Sequence, residues 1–239
     1  MGVRLPAEYQ EVEYLESTGD QYCLTDVLYH VEIDSEAVFM PTDSSQDSVL
    51  FGCAPKHQGA YDRWFVANFG WYQKRLQYFY GDYKYFDVGT SGNRYKQTVN
   101  TKYHAISSLK NGSQTMIING QTLLEEKNTL PVVTPIIGYI SLFAHNNPSA
   151  TGGAPEYGSK YKGRIYSLKL LSDGELLGDF VPCVRKADNK PGIYNLVTGG
   201  FFVNQGTGEF LVGPDVIDSI SPLMVAWRRG LIASSGNAR

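Results

Sequence analysis

A chain of 239 residues, 42% of them hydrophobic, is long enough to bury a sizeable core and short enough to remain a single all-β sandwich. Lysine and arginine total 21 against 24 aspartates and glutamates, and the resulting formal charge of -3 offers no field for a polyanion, which excludes sequence-independent nucleic-acid binding. The 3 cysteines, Cys23, Cys53 and Cys183, are odd in number and far apart, so a disulfide framework and a closely spaced thiolate metal site are excluded and they read as small buried hydrophobes.

Alternation of apolar and polar residues recurs along the chain while a sustained 3.6-residue period does not, which predicts strands throughout. Near the start, Val12 and Tyr14 alternate with Glu11 and Glu13. Between 31 and 39 the odd positions Val31, Ile33, Ala37 and Phe39 are apolar, with Ser35 the exception, and Glu32, Asp34 and Glu36 fall on the opposite face. Further strands are predicted at 48–53, 63–69, 75–80, 97–109, 114–118, 135–144, 163–171 and 176–184. Asn111-Gly112 and Asn119-Gly120 bracket the 114–118 strand with hairpin turns, and Asp173-Gly174 joins the last two. A meander with Greek-key crossings is expected, in keeping with a surplus of β-favouring aromatics: 17 Tyr, 11 Phe and 3 Trp against 4 Met.

Two segments depart from this rhythm. Residues 145–159, with Asn146-Asn147-Pro148 and Gly152-Gly153-Ala154-Pro155, form a polar loop punctuated by glycine and proline, long enough to be suspected of a role at one rim. Residues 215–239 carry Trp227, Arg228 and Arg229 before the run Ala233-Ser-Ser-Gly-Asn, a tail that either docks on a neighbouring subunit or frays. The N-terminus shows no basic head followed by an apolar run, and no stretch of about 18 apolar residues occurs, so neither a secretory signal nor membrane insertion is expected.

The richest binding chemistry lies between Tyr61 and Tyr85, where Trp64, Phe65, Phe69, Trp71, Tyr72, Tyr78, Phe79, Tyr80 and Tyr83 are interleaved with Arg63, Lys74, Arg75 and Lys84. Sugar rings stack their apolar faces on flat aromatic side chains while their hydroxyls take hydrogen bonds from polar ones, and the same residue types make protein interfaces. Arg63, Trp64, Trp71, Tyr72 and Tyr83 are the candidate ligand-binding residues. Phe65, Phe69 and Phe79 are expected in the core and Trp71, Tyr72 and Tyr83 at the surface. His30, His57, His104 and His145 are scattered without metal-ligand spacing.

Both ends of the chain carry recognisable words. Leu5-Pro-Ala-Glu-Tyr-Gln-Glu-Val-Glu-Tyr-Leu-Glu-Ser-Thr-Gly19, followed by Gln21 and Tyr22, stands at the start. Gly163-Arg-Ile-Tyr-Ser-Leu-Lys-Leu, Asp179-Phe-Val-Pro-Cys183, Pro191-Gly-Ile-Tyr-Asn-Leu-Val-Thr-Gly199 and Gly206-Thr-Gly-Glu-Phe210 stand towards the end. Together they resemble the concanavalin A-like (laminin G-like) jelly-roll domains of bacteriophage virion proteins and gut bacterial surface proteins. The resemblance implies an all-β, two-sheet antiparallel sandwich over 1–214, with 215–239 as a C-terminal tail.

The jelly-roll class hosts both binding modules and glycosidases. Glu32-Ile-Asp-Ser-Glu36 resembles the Glu-x-Asp-x-Glu motif of laminarinase-like hydrolases, which would make Glu32 the nucleophile, Asp34 its helper and Glu36 the acid/base. Residues two apart on a strand lie about 6–7 Å from one another, near the roughly 5–5.5 Å carboxyl separation of retaining enzymes. Ser35 departs from that motif, where an apolar residue is wanted, and the alternative reading is a charged, solvent-facing strand edge. Calcium is known in laminin G-like domains, and Asp43, Asp47, Asp62 and Asp82 sit where loops would offer oxygen ligands, but no loop has an EF-hand spacing and no cofactor is assigned. The expectation is a non-enzymatic virion module, a head decoration, fibre or tail-associated protein, located in the virion or else on a bacterial surface. It would act by adhesion to host-surface glycan or by attachment to other virion proteins, as a homo-oligomer. The alternatives are a retaining hydrolase and a purely structural capsid or tail component.

Overall fold

A computed structural model describes residues 5–28, 33–43, 48–53, 68–72, 75–80, 84–87, 89–90, 93–95, 97–110, 113–127, 138–147, 156–158 and 160–216. All regular structure among them is strand. The chain opens with β1 (Tyr9–Glu11), β2 (Leu15–Thr18), β3 (Cys23–Leu28), β4 (Asp34–Pro41), β5 (Ser48–Val49) and β6 (Phe51–Gly52). Next come β7 (Asn68–Tyr72), β8 (Arg75–Tyr80), β9 (Lys84–Asp87), β10 (Gly89–Thr90) and β11 (Asn93–Arg94). β12 (Tyr103–Lys110), β13 (Ser113–Ile118), β14 (Gln121–Lys127), β15 (Tyr139–Leu142), β16 (His145–Asn147) and β17 (Glu156–Gly158) make the middle. β18 (Lys162–Ser172), β19 (Glu175–Arg185), β20 (Lys190–Asn195), β21 (Phe201–Val203) and β22 (Leu211–Val212) close it.

The large antiparallel sheet runs β14-β13-β12-β4-β18-β19-β20-β21, with β1 on β19 and β2 between β18 and β22. Two meanders, β12 to β14 and β18 to β21, thus flank β4, which arrives from the far side of the sequence in a Greek-key crossing. The facing layer contains β3-β15-β6, and β5-β7-β8-β9 form a further antiparallel group. Leu15, Ala37, Phe39, Ala105, Ile165, Leu168 and Phe180 of the large sheet join Cys23, Val27, Phe51, Ile140 and Leu142 of the facing layer in one core. This is a two-sheet jelly-roll sandwich, and each fully buried Phe, Leu or Ile contributes roughly 1.5–3 kcal/mol to it.

Several predicted details take physical form. Ser35 faces the core with Ile33, Ala37 and Phe39, and its hydroxyl is satisfied 2.6 Å from that of Ser107 directly across on β12. Asn119 (φ 50) with Gly120 (φ 80) and Asp173 (φ 49) with Gly174 (φ 80) are left-handed hairpin turns of the kind their sequences call for. All three cysteines are free and buried, and burial pushes their thiols up to about 12.

Other boundaries move. The strand predicted at 97–109 begins only at Tyr103, because a turn with Asn100 at φ 60 precedes it. The 48–53 strand splits around buried Leu50 into β5 and β6, which join different sheets. The described part of the 135–144 strand ends at Leu142, where Phe143 turns to φ 63. A bulge in β18 lies between Ile165, opposite Phe39, and Ser167, opposite Val38. It resets the alternation, so that Ile165 before it and Leu168 and Leu170 after it all point inward while Tyr166 is turned out.

The two ends of the sandwich are clasped by two side-chain amides. Gln21 Oε1 accepts from Thr18 N (2.8 Å) and Thr18 Oγ1 (3.1 Å), and its Nε2 donates to Thr207 O (3.1 Å). Asn204 Oδ1 accepts from Tyr22 N (3.0 Å) and Gly206 N (2.8 Å), and its Nδ2 donates to Gly208 O (2.8 Å). The loops approach so closely that a Cβ on Gly206 would stand 1.8 Å from Asp20 O. A smaller apolar cluster lies under the N-terminus, where Leu5 and Tyr9 cover Val181 and Cys183 beside Tyr194 and Phe201.

Gly206→Ala forces backbone apart and is expected to cost about 1–3 kcal/mol in urea unfolding, and Gln21→Ala, which orphans Thr18 N, about 1–3 kcal/mol. Buried His145 has its pKa lowered by desolvation from 6.5 to about 4. Between those values the unfolded chain binds a proton that the native chain does not. Stability therefore falls as pH drops from 6.5 to about 4, by roughly 3 kcal/mol. Denaturation midpoints measured across this window should lose most of that slope in His145→Gln.

Candidate functional site

The carboxylates that resemble a hydrolase motif lie on β4, with Glu32 outside the described residues. Asp34 and Glu36 share the outward face, as alternation predicts. β4 is not a sheet edge, however: it is paired along its length by β12 and β18, which corrects the strand-edge expectation. Glu36 sits between them, with Oε1 2.9 Å from His104 Nε2 and Oε2 accepting from Lys169 Nζ at 3.4 Å. The hydrogen bond from His104, with help from Lys169, holds this carboxyl below its ordinary value against the opposing effect of burial. A general acid needs the reverse, a carboxyl kept protonated near neutral pH. What the arrangement does is neutralise charge across three strands.

Of the candidate ligand-binding residues, Arg63, Trp64 and Tyr83 lie outside the described residues, as does Phe65. Trp71 and Tyr72 lie on β7, where the backbone register sets Trp71 opposite Ser48 and Leu76, and Tyr72 opposite Arg75. Phe69 and Phe79 are opposite Tyr78 and Asn68 in the same group. Of the aspartates considered for calcium, Asp43 is ion-paired with Lys162 at 3.0 Å, and Asp47, Asp62 and Asp82 are outside the described residues. Among the described residues no group of three His, Cys, Asp or Glu is placed to hold a metal ion, and no helix is long and apolar enough to cross a membrane.

The structure brings together a site that the sequence reading passed over. The Asn204 bond fixes Tyr22 at the start of β3, and its ring stacks on Tyr157 with centroids 4.2 Å apart and planes 27° apart. Tyr157 is presented by β17, which pairs with β16 across the polar 145–159 loop: His145 opposite Gly158, Asn146 opposite Tyr157. Beneath it Asn146 is buried, its Nδ2 donating to Tyr139 O at 2.9 Å and anchoring the hairpin to β15. Lys160 places its ammonium 5.5 Å from the Tyr22 ring centroid. Both rings are partly buried, and desolvation raises both phenol pKa values, so the hydroxyls stay protonated as donors.

A second aromatic group on the outer face of the large sheet has a different character. The β18 bulge turns Tyr166 out, edge-on to Tyr14 at 5.3 Å. Lys102 lies 3.8 Å over Tyr166, and Arg164, ion-paired with Glu16, lies 4.3 Å over Tyr14. Each of these rings already has a face covered by a cation, and Gly213 presses on Tyr14. Tyr157 instead has one face on Tyr22 and no second ring or cation contact among the described residues. It is the ring that offers a free platform. Gln21-Tyr22 and the 145–159 loop were both visible as sequence features, but nothing local in either says that they meet.

No family model matches the chain, and no curated protein does. Among solved structures, a candidate carbohydrate binding protein from Bacteroides ovatus is similar with a TM-score of 0.54 and 9% identity, over 87% of this chain and 62% of that one. The chain therefore spans less than two thirds of that protein's length. The heptameric SAP-like pentraxin from Limulus polyphemus is similar with a TM-score of 0.53 and 11% identity, over 90% of this chain and 100% of that one. At such identities the likeness establishes the fold alone, a jelly-roll-like antiparallel β-sandwich spanning most of the chain.

Proposed function

We propose that this chain is a non-catalytic glycan-binding module of a virion, displayed in several copies, and that it takes sugar at the Tyr22–Tyr157 rim. The observation that carries the reading is the stacked pair itself: an aromatic platform with a face that no described ring or cation covers, flanked by phenol donors and an ammonium, held by two separately anchored segments. A sugar ring lays its C–H face on such a platform and hydrogen-bonds at its edges. Support also comes from the two similar structures, one described as carbohydrate binding and the other as heptameric. The virion assignment rests on the sequence words at both ends. Display in several copies raises weak single-site affinity by roughly 10²–10⁴-fold. The tail 215–239 is our candidate for attachment to a second copy or to another virion protein, beginning beside Leu211, Val212 and Val216, which are exposed at the sheet edge.

A glycan array on the purified full chain, with light scattering for its oligomeric state, tests this. Saturable binding to a sugar class is expected, and Tyr157→Ala should weaken it at least about tenfold with little change in unfolding midpoint. Wild-type protein should release no reducing ends from any glycan it binds. Release that Glu36→Gln abolishes would replace this reading with the hydrolase.

A further inference from the structure

The charge at the rim points to which sugars it takes. Of the lysines whose side chains are described, Lys162 is matched to Asp43, Lys169 to Glu36, Lys190 to Glu209 and Lys186 to the carbonyl of Ala7, whereas Lys102 and Lys160 each lie on an aromatic ring instead. Among the described residues Lys160 meets the ring of Tyr22; it is only partly exposed and its backbone is fixed by a bridge to Val49. Asp20, the carboxylate on the neighbouring turn, is exposed and makes no ion pair with it. An ammonium beside an aromatic platform, with no counter-charge among the described residues, gains a charge-assisted partner when an anion arrives. Its 5.5 Å stand-off leaves it free to swing from the Tyr22 ring to a ligand.

We propose that the rim selects acidic glycans, those bearing a sugar carboxylate of the uronic or sialic type, with the ring on the Tyr22–Tyr157 pair and the carboxylate on Lys160. This rests on the glycan-binding reading above and adds the class of ligand. Lys160 is then the specificity-determining residue and the tyrosines supply stacking common to all sugars. The phenol hydroxyls donate to ring and hydroxyl oxygens. Binding of this kind weakens with salt, because an ion pair at a solvent-accessible rim is screened.

The probes are galacturonate oligosaccharides and sialyllactose, each beside its carboxyl-reduced counterpart, which keeps shape and stacking and removes the charge. In calorimetric titration of the full chain, an acidic probe should bind about tenfold or more tighter than its reduced form. Lys160→Met should abolish that difference while leaving the weak binding of the reduced form, and Lys160→Arg should retain it. Equal binding of acidic and reduced forms, or a preference that survives Lys160→Met, overturns the proposal and leaves glycan binding standing. Binding of no probe and of no glycan on the array overturns both. Tyr157→Ala should weaken acidic and reduced forms alike, separating stacking from charge.

Discussion

Two amide side chains, Gln21 and Asn204, join the beginning of this chain to its end. Strands in the body of a sheet satisfy their backbone through the ladder, but the turn at 19–22 and the loop at 204–208 lie outside the strands. Each amide supplies acceptor and donor together: Gln21 Nε2 to Thr207 O and Tyr22 N to Asn204 Oδ1 cross the junction, while the backbone groups of Thr18, Gly206 and Gly208 are satisfied within their own segment. Any one bond is worth only about 0.5–1.5 kcal/mol, yet leaving such a group buried and unpaired costs more than the bond gains. The clasp also makes β2 a strand with two partners, β18 and β22. The same bonds fix the backbone of Tyr22, so closure of the fold and placement of the rim are one event.

How much of this was legible depends on whether the signal was local. Alternation along β4 identifies its faces correctly, and even the discordant Ser35 has its answer in Ser107, a residue whose own parity on β12 is inward. The Asn119-Gly120 and Asp173-Gly174 turns declare themselves because only a few residue types tolerate the left-handed backbone, while Asn111-Gly112 lies outside the described residues. The β18 bulge does not, since it depends on the register that β4 imposes on β18 and not on β18 alone. The interruption at Phe143 is similar: a bulky aromatic at positive φ is disfavoured locally, and is held by Phe143 N bonding to Leu50 O and by packing against Tyr161 and Phe210.

The same distinction explains the candidate site. Glu32-Ile-Asp-Ser-Glu36 is a contiguous motif and so attracts attention, but its chemistry is decided by neighbours that the sequence does not place beside it. His104 comes from β12 and Lys169 from β18, and together they tie Glu36 into a cross-strand network of one hydrogen bond and one ion pair. The Tyr22–Tyr157 pair is the opposite case. Tyr22 closes the opening words and Tyr157 lies in the polar loop, but nothing local pairs them, and the site exists because the clasp and the β16–β17 hairpin bring distant segments to one rim.

The two surfaces also differ in what remains for a ligand to do. On the outer face of the large sheet, cations already cover Tyr14 and Tyr166, and Glu16 and Glu36 are met by Arg164, His104 and Lys169. A ligand there would have to break existing contacts before making its own. At the rim the tyrosines are positioned by bonds to backbone, made through Asn204 on one side and the anchored hairpin on the other, and these survive when a ligand arrives. Ordering costs are therefore met during folding, which is how the proposed site of two rings and one ammonium would retain useful affinity.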